Sequence, residues 1–409
     1  MKEAPVGEGR QRRIAMVAYT HYATDPRCRR EAELCLDAGW EVDFFALRGS
    51  RGDAPLSPGL HLVEMPMDRY RGGSAAAYVG SYLRFLLLAS GALLRRHLFR
   101  RYAVVHVNTM PDFMVLTALV PRLLGARVIL DVHDVMPEIY MTKFGVGPDH
   151  WKIRLLRCQE VWSARIAHAV LTAEHPKAEL LAEHGVPPGK IRVLLNLPDE
   201  RIFPERPVAP RDVPDAPGDP FRVVYHGTVA HRLGLDLGIA AVELAWKRYP
   251  GMRYRILGDG DQLPELRRLV AERGLDDVVG FTGRFLPVER ILPELMAAHL
   301  ALIPTRPAVS TDYMLPTKLI EYLQIGVPSL VTPTRTVRWY FGEHHPLYLE
   351  DTRPEAIAGK LIWARENYGE VCRLAADMRE EFLSRYRWRE HGPTYLALLD
   401  ELAGGDARG

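Results

Sequence analysis

Cysteine is scarce in this sequence of 409 residues, which has only four, at positions 28, 35, 158 and 372. Their spacing contains none of the close pairs that are typical of zinc ribbons or disulfide frameworks, so we expect neither. Excess charge is lacking as well, because 53 Lys and Arg residues against 51 Asp and Glu residues leave a formal net charge of +2. This balance does not predict a polyanionic partner, and nucleic acid binding is disfavoured.

Two hydrophobic signals are also missing. The segment Met1 to Arg13 is polar and basic, with no apolar stretch before Ile14, so we expect no signal peptide and a cytoplasmic protein. The most apolar helical segment, Tyr78 to Tyr102, is interrupted by Arg84 and Arg95, and the stretch between them is too short for a span of about 20 residues. We therefore expect no membrane crossing there. Its basic end is compatible with peripheral contact to anionic lipid at the inner membrane face, or with an ordinary core helix that ends in cations.

The sequence is rich in alternating strand and helix patterns. Ile14–Tyr19 is typical of a buried strand, Asp25 to Gly39 of a helix, and Trp40–Ala46 of a second strand, which together predict a βαβ unit of a parallel sheet. A dinucleotide-binding glycine fingerprint would follow the first strand, but Thr20–Asp25 lacks it. An NAD-dependent oxidoreductase is therefore disfavoured.

Prolines divide the chain. Six of them crowd residues 204–220, and a second alternation of strands and helices begins at Phe221. We predict a first domain over 1–203, a stiff linker over 204–220, a second domain over 221–385, and a C-terminal helix within 386–409 that packs back towards the first domain.

Candidate ligand-binding residues follow the predicted strands of the second domain. Glycine turns come after three successive strands, at Gly227, Gly258 to Gly260 and Gly283, and Arg232 follows the first as a candidate diphosphate clamp. In Ser310 to Pro333, Thr317 or Ser310 is expected to cap a helix that stops at Gly326, and Glu321 lies one turn inside it, where a carboxylate could reach ligand hydroxyls. An amphipathic helix with solvated charges is the alternative interpretation.

A second candidate site follows the strand Ala126–Val132. His133 stands there among the carboxylates of Asp131, Asp134 and Glu138, which could orient the imidazole for proton transfer. A structural histidine and a metal ligand are the alternatives. Metal is the less favoured of the two, since no second His or Cys follows at ligand spacing.

Taken in order, the motifs resemble those of glycosyltransferase family 4, of the retaining, group 1 type. The resemblance covers nearly the whole chain except the linker and residues 47–75. The matching segments are Asp25–Ala32, Asp131–Glu138, Val193–Asn196 with Phe203, His226–Thr228 with Gly234–Asp236, Ile256–Gly260, Phe281–Gly283 and Pro316–Pro328. It implies a GT-B fold, that is, an α/β protein of two facing Rossmann-like domains with parallel sheets and an interdomain cleft. It also implies transfer of a sugar from a nucleoside diphosphate-sugar to a glycan or glycolipid, with retention and without a metal ion or other cofactor.

Carried over position by position, the resemblance implies catalytic roles for His133, Arg232 and Glu321. His133 would contact the donor sugar, Arg232 would neutralise the leaving diphosphate, and Glu321 would hold the ribose. The implied donor-binding set is Gly227, Thr228, Arg232, Gly258, Gly260, Gly283, Arg284, Phe285, Asp312, Tyr313, Lys318 and Glu321, and the implied acceptor-side set is Asp25, Arg27, Asp134 and Glu138.

Two departures from the family pattern keep alternatives open. The first acidic position of Glu-x7-Glu falls on Tyr313, where Asp312 or Lys318 could substitute, and Leu233 stands where a basic residue usually precedes Gly234. A nucleotide-sugar 2-epimerase-like enzyme would need no acceptor. A non-catalytic nucleotide-sugar-binding homologue would bind the donor without turnover.

Overall fold

The computed structural model describes residues 12–51, 56–70, 72, 75–213 and 220–404. The described residues form two compact units, one drawn from Met1–Asn196 with Glu390–Gly409 and the other from Leu197–Arg389. The division therefore falls before residues 197–203, which the sequence assigned to the first domain. Two hydrogen bonds explain the difference: the side-chain amide of Gln324 in the second unit donates to the carbonyl of Phe203, and the backbone carbonyl of Gln324 accepts from the amide of Arg206. Residues 214–219 of the predicted linker lie outside the described residues.

The first unit is built on a parallel sheet of seven strands in the order β3-β2-β1-β4-β5-β6-β7. Its strands are β1 Arg13–Val17, β2 Glu41–Leu47, β3 Leu60–Met65, β4 Val104–Asn108, β5 Arg127–Val132, β6 Ala169–Thr172 and β7 Ile191–Val193. Strand β4 is buried at every position and β1 at all but its first, as expected for central strands covered on both faces. The strand order reverses between β1 and β4, and the ends of β4 and β5 carry the polar residues discussed below.

The helices of this unit are α1 Pro26–Asp37, α2 Ala75–Arg100, α3 Leu119–Leu123, α4 Met136–Phe144, α5 Trp151–Ile166, α6 His175–Glu183 and α15 Trp388–Gly404. Short 3-10 helices occupy Tyr22–Thr24, Asp112–Ala118 and Pro188–Lys190. The helical segment after β4 is thus divided into a 3-10 part and α3. Pro121 accounts for this, because it lacks the N–H that would continue an α-helical ladder from Thr117.

The second unit contains a parallel sheet of five strands in the order β10-β9-β8-β11-β12. These are β8 Phe221–His226, β9 Met252–Leu257, β10 Val279–Phe281, β11 Leu300–Ile303 and β12 Ser329–Val331. Its helices are α7 Leu235–Arg248, α8 Leu263–Glu272, α9 Val288–Ala297, α10 Val309–Asp312, α11 Thr317–Gln324, α12 Arg335–Phe341, α13 Pro354–Glu366 and α14 Tyr368–Leu383, with a 3-10 helix at His231–Leu233. Both sheets show the parallel, doubly wound order that the sequence predicts.

The start of helix α11 differs from the sequence prediction, whereas its end agrees with it. The residue before it is Pro316 and no side chain caps it, so the predicted caps Thr317 and Ser310 are wrong. Its end agrees with the sequence, since Gly326 adopts a φ of +74° immediately beyond it. A Cβ at Gly326 would also lie 2.4 Å from the carbonyl oxygen of Pro207, so only glycine fits this close approach.

Helix α2 is unusually apolar on its outer side. Within Ala76–Arg100, the most apolar window of 18 residues has a mean hydropathy of 1.4, and 22% of that window is buried. By length and composition alone it could cross a membrane, although core helices of soluble proteins satisfy the same criterion.

Candidate active site

The glycine turns of the second domain come together at the carboxyl edge of its sheet. Strand β9 pairs with both β8 and β10, so the turns that follow all three strands are neighbours. A Cβ at Gly258 would lie 1.8 Å from the carbonyl oxygen of Gly227, and one at Gly260 would lie 2.0 Å from that of Val229. Gly227 itself has a φ of +110°. Glycine is therefore required for these backbones to pack against one another.

Lys318 supplies a cation beside the first of these turns. Its Cε would lie 3.4 Å, and its Nζ 3.7 Å, from a Cβ at Gly227. Burial is the main reason why the pKa of Lys318 is lowered to about 8. The positive charge of Arg232 also lowers this pKa, whereas the negative charge of Glu321 acts in the opposite direction. Arg232 is exposed in the 3-10 helix that follows the turn. One positive side chain thus lies beside Gly227, and a second is near enough to Lys318 to lower its pKa, an arrangement suited to a diphosphate.

Glu321 lies one helical turn beyond Lys318 and is held by a histidine. Its Oε2 lies 2.5 Å from Nε2 of His226, the last residue of β8. The opposite ring nitrogen of His226 lies 2.8 Å from the hydroxyl of Tyr322. The carboxylate keeps part of its surface accessible, with 19% side-chain exposure. It can therefore accept hydrogen bonds from ligand hydroxyls while its position is fixed.

Two residues of the Glu-x7-Glu region contact α12. The hydroxyl of Tyr313 accepts a hydrogen bond of 2.9 Å from Arg335, whose guanidinium also lies 5.3 Å from the centre of the tyrosine ring. The backbone carbonyl of Asp312 accepts one of 2.7 Å from Thr336. The structure thus joins Asp312 and Tyr313 to the start of α12.

The remaining donor-side residues lie at exposed turns. The side chain of Thr228 is exposed, while its carbonyl accepts a bond of 2.7 Å from Tyr225. After β10, Gly283 has a φ of +65°, and Arg284 and Phe285 are exposed, Phe285 by 61%. An aromatic side chain is therefore accessible at the edge of the sheet.

In the first domain, His133 is positioned by polar groups at the ends of β4 and β5. Its Nε2 lies 3.0 Å from Oδ2 of Asp131 and 3.1 Å from Oδ1 of Asn108. Both partners are acceptors, so Nε2 carries a proton and Nδ1 is the atom left for a ligand. Burial disfavours the imidazolium, but the Asp131 carboxylate outweighs it and raises the pKa of His133.

Asp131 is in turn fixed by Arg27. The guanidinium donates two hydrogen bonds to the carboxylate, of 2.8 and 2.9 Å, and a third of 2.9 Å to the carbonyl of Leu194. Despite burial, Arg27 holds the pKa of Asp131 well below its usual range. Arg27 is itself only 4% exposed. It therefore positions Asp131 and His133 from inside the domain, and its implied place on the acceptor side stays a prediction.

A buried cluster continues behind this pair. Glu31, His106 and Asp131 bring ligand atoms within 4.8 Å of one another, which is close enough for a metal ion. The guanidinium of Arg27 already lies 3.2 Å from Glu31 and also pairs with Asp131, so both carboxylates have a positively charged partner. His106 Nδ1 lies 2.6 Å from the hydroxyl of Tyr395 of α15. This geometry favours an ion-pair network over a metal centre.

The other acceptor-side residues have different surroundings. Asp25 caps α1, its carboxylate accepting a hydrogen bond of 3.1 Å from the amide of Cys28, and Asp134 is half-buried after β5. Glu138 is buried, with Oε1 3.4 Å from Nε2 of His184 and 3.9 Å from Arg157. Glu138 is therefore part of the interior of the domain.

Two members of the site were missed from the sequence: His226 as the partner of Glu321, and Asn108 beside His133. Lys318 was named in the implied donor-binding set, but its position beside Gly227 was not predicted. A signal existed for His226, which directly precedes Gly227, and for Lys318, which stands three residues before Glu321 on the same face of a helix. Asn108 gave no comparable signal, because only the pairing of β4 with β5 brings it opposite Asp131.

Comparison with protein families identifies the chain. The model of the glycosyl transferase 4-like domain matches residues 24–196, and the model of glycosyl transferases group 1 matches residues 220–367. The chain belongs to the group 1 glycosyltransferases. The two models cover both candidate sites and every strand of the two sheets except β1.

Individual relatives agree with this assignment. The 2-deoxystreptamine N-acetyl-D-glucosaminyltransferase of Streptomyces fradiae is 29% identical over 279 residues, which are 64% of this chain and 63% of that protein. The amylovoran biosynthesis glycosyltransferase AmsK of Erwinia amylovora is 30% identical over 115 residues, 28% of each chain. The matched region thus spans less than two thirds of the length of these curated relatives.

Solved structures show the same fold. Sucrose-phosphate synthase from Thermosynechococcus elongatus has a TM-score of 0.74 at 16% identity, covering 97% of this chain and 100% of that one. HepE from Anabaena, in complex with UDP and glucose, has a TM-score of 0.69 at 13% identity, covering 95% and 99%. These likenesses establish this glycosyltransferase as a GT-B protein with two Rossmann-like domains.

Proposed function

We propose that this protein transfers a sugar from a nucleoside diphosphate-sugar to a glycan, lipid-linked or small-molecule acceptor, with retention at the anomeric carbon and without a metal ion. The observation that carries the proposal is the grouping of Lys318, Arg232 and Glu321 around the turn at Gly227. Family membership supports the reaction class, and the complex of HepE with UDP and glucose supports the ligand class.

The proposed chemistry follows from charge. Breaking the bond between sugar and diphosphate leaves negative charge on the phosphate oxygens, and fixed cations stabilise it as it develops. Lys318 and Arg232 would supply that charge, with Gly227 allowing close approach. Glu321, held by His226, would accept hydrogen bonds from the ribose hydroxyls.

His133 is the group that we propose for the chemical step in the first domain. Its Nδ1 would face the reacting sugar, because Nε2 is committed to Asp131 and Asn108. Variants at His133 are then expected to lower kcat and to leave nucleoside diphosphate binding unchanged, since donor binding is assigned to the second domain.

Ligand binding tests the donor site. We expect one of UDP, GDP, ADP and dTDP to raise the melting temperature equally with Mg²⁺ and with EDTA, and a ligand at about 100 times its Kd to stabilise by ~2.7 kcal/mol. In Glu321→Ala this binding should weaken by ~10- to 100-fold, because bonds to a charged group contribute about 1.5–3 kcal/mol. The exposed Glu370→Ala is the matched control and should bind like the wild type.

The ribose contact has a sharper test. A 2′,3′-dideoxy nucleoside diphosphate should bind the wild type weakly, and Glu321→Ala should not weaken it further. An additive loss would mean that Glu321 acts elsewhere. The proposed function would be refuted if only NAD raised the melting temperature, or if none of the nucleoside diphosphates did.

Turnover distinguishes the remaining alternatives. Transfer with retention predicts a product with the donor's anomeric configuration, which NMR measures. It also predicts that the nucleoside diphosphate is released only when an acceptor is present. Conversion of the donor sugar without acceptor would indicate an epimerase. Tight donor binding without turnover across acceptors would indicate a non-catalytic homologue.

A further inference from the structure

Helix α2 has two faces of different surroundings. Its inner face carries Tyr82, Phe85, Ala89 and Leu93 at helical spacing, and all four are buried. This side packs on β1, β3 and the 3-10 helix of residues 112–118. The outer face is also apolar, however: Leu87 is 73% exposed and Phe99 83% exposed. A helix that only covered a sheet would be expected to carry polar residues on that side.

Helix α3 extends the exposed surface. It packs against α2, and its Leu123 is 72% exposed. We define the apolar face by exposed side chains of these two helices and of the residue that follows α3, namely Leu83, Leu87, Leu98, Phe99, Leu123 and Leu124. Large exposed apolar side chains concentrated on two packed helices mark an interaction site.

The charge around the apolar face has one sign. Residues 69–130 contain nine arginines and a single acidic residue, Asp112, which is buried. Asp43 compensates Arg96 and, more distantly, Arg100, at 2.7 and 3.6 Å. Arg95 is exposed and has no acidic partner among the residues that the structure describes. A protein surface of mixed charge would not complement this face, whereas a layer of phosphate headgroups over hydrocarbon would.

Insertion across a bilayer does not suit the same helix. Crossing would expose the buried face that covers β1 and β3, whereas lying in the plane of the interface leaves that packing intact. The apolar side chains then enter the acyl region and the long arginine side chains reach the phosphates.

We propose that the apolar face binds the surface of an anionic lipid bilayer, with α2 lying in the interface plane. This goes beyond the proposed sugar transfer and requires neither donor nor turnover. The apolar face is thus assigned to a membrane. The competing assignment is contact with a second copy of the chain, which the experiment must exclude.

The test is co-sedimentation of the full chain with sucrose-loaded vesicles of phosphatidylcholine alone or mixed equally with phosphatidylglycerol. We expect at least tenfold stronger partitioning into the anionic vesicles, reduced when NaCl is raised from 50 to 300 mM. Leu87→Gln/Leu98→Gln and, separately, Arg95→Glu/Arg101→Glu should each reduce it about tenfold. The matched controls are Leu244→Gln/Val309→Gln and Arg268→Glu/Arg373→Glu, exposed positions of the second domain, which should bind like the wild type.

Several outcomes would overturn the proposal. These are the absence of binding to anionic vesicles, equal binding to both lipids without salt dependence, or unchanged binding in both test pairs. A lipid-free dimer by light scattering that Leu87→Gln/Leu98→Gln makes monomeric would assign the face to a second copy instead. The melting temperature of each variant, measured without lipid, separates a misfolded first domain from a lost membrane contact.

Discussion

The ammonium group of Lys318 lies over the ring of Tyr225, with Nζ 4.9 Å from the ring centre. This contact places a cation against the face of an aromatic ring and beside Gly227. The helical pattern of the sequence does not reveal either neighbour. The low pKa of Lys318, about 8, is the consequence of that burial.

A pH dependence of donor binding follows. A diphosphate binds the protonated ammonium, so below pH 8 the affinity should be independent of this group. Above pH 8 binding must take up a proton, and Kd should rise by up to tenfold per pH unit. Calorimetry with the matching nucleoside diphosphate between pH 6.5 and 9.5 measures this. Lys318→Arg, whose charge persists over the range, should abolish the slope; a slope that remains would exclude Lys318 from the site.

Arg27 should be important for stability because it compensates two buried carboxylates. Arg27→Met leaves Asp131 and Glu31 without their cation, and we expect a loss of about 3–5 kcal/mol in the free energy of unfolding of the first domain. The deficit should be smaller at pH 5 than at pH 8, since protonation of the carboxyl groups relieves it. Urea unfolding at both pH values measures the loss. Arg29→Met on the same helix, where the arginine is 46% exposed and pairs with Glu33, should change stability by less than about 0.5 kcal/mol.

Asp112 should lower stability as pH rises. Burial, with the nearby charge of Glu160, raises the pKa of its carboxyl to about 8, so the folded chain retains a proton that the unfolded chain releases near pH 4. The folded state is therefore penalised increasingly from pH 4 to pH 8. Asp112→Asn should raise the melting temperature more at pH 8 than at pH 5. Asp149→Asn, with a side chain 95% exposed, should show no such trend, and an equal gain at both pH values would contradict the assignment.

Gly258 should be irreplaceable. A Cβ there would lie 1.8 Å from the carbonyl oxygen of Gly227, so Gly258→Ala must displace the turn that we assign to the diphosphate. We expect loss of nucleoside diphosphate binding together with a lower melting temperature. Gly359→Ala in α13 is the control, because nothing lies within 4 Å of its added Cβ and alanine favours a helix by about 0.5–1 kcal/mol. Unaltered diphosphate binding in Gly258→Ala would show that the turn tolerates displacement.

Much of the fold could be predicted because apolar periodicity and glycine placement act locally. The strands predicted over Ile14–Tyr19, Trp40–Ala46 and Ala126–Val132 agree with β1, β2 and β5 to within about two residues at each end. Strand β3 was not predicted, because an edge strand is half-exposed and lacks a continuous apolar run. The cap of α11 was wrong, since Ser310 and Thr317 are common caps but their backbone positions decide whether they can act.

The candidate site divides in the same way. Residue types next to strand ends predicted that His133 and Gly227 lie at the carboxyl edges of the two sheets, because parallel strands present their carboxyl ends together, and the helical pattern predicted the place of Glu321 in α11. Only the tertiary structure decided which partners they have. His226 meets Glu321, and Arg27 meets Asp131, across 95 and 104 residues of chain. Burial depends on every element packed around a side chain, so the ammonium of Lys318, the buried guanidinium of Arg27 and the apolar outer face of α2 acquire their properties from the fold.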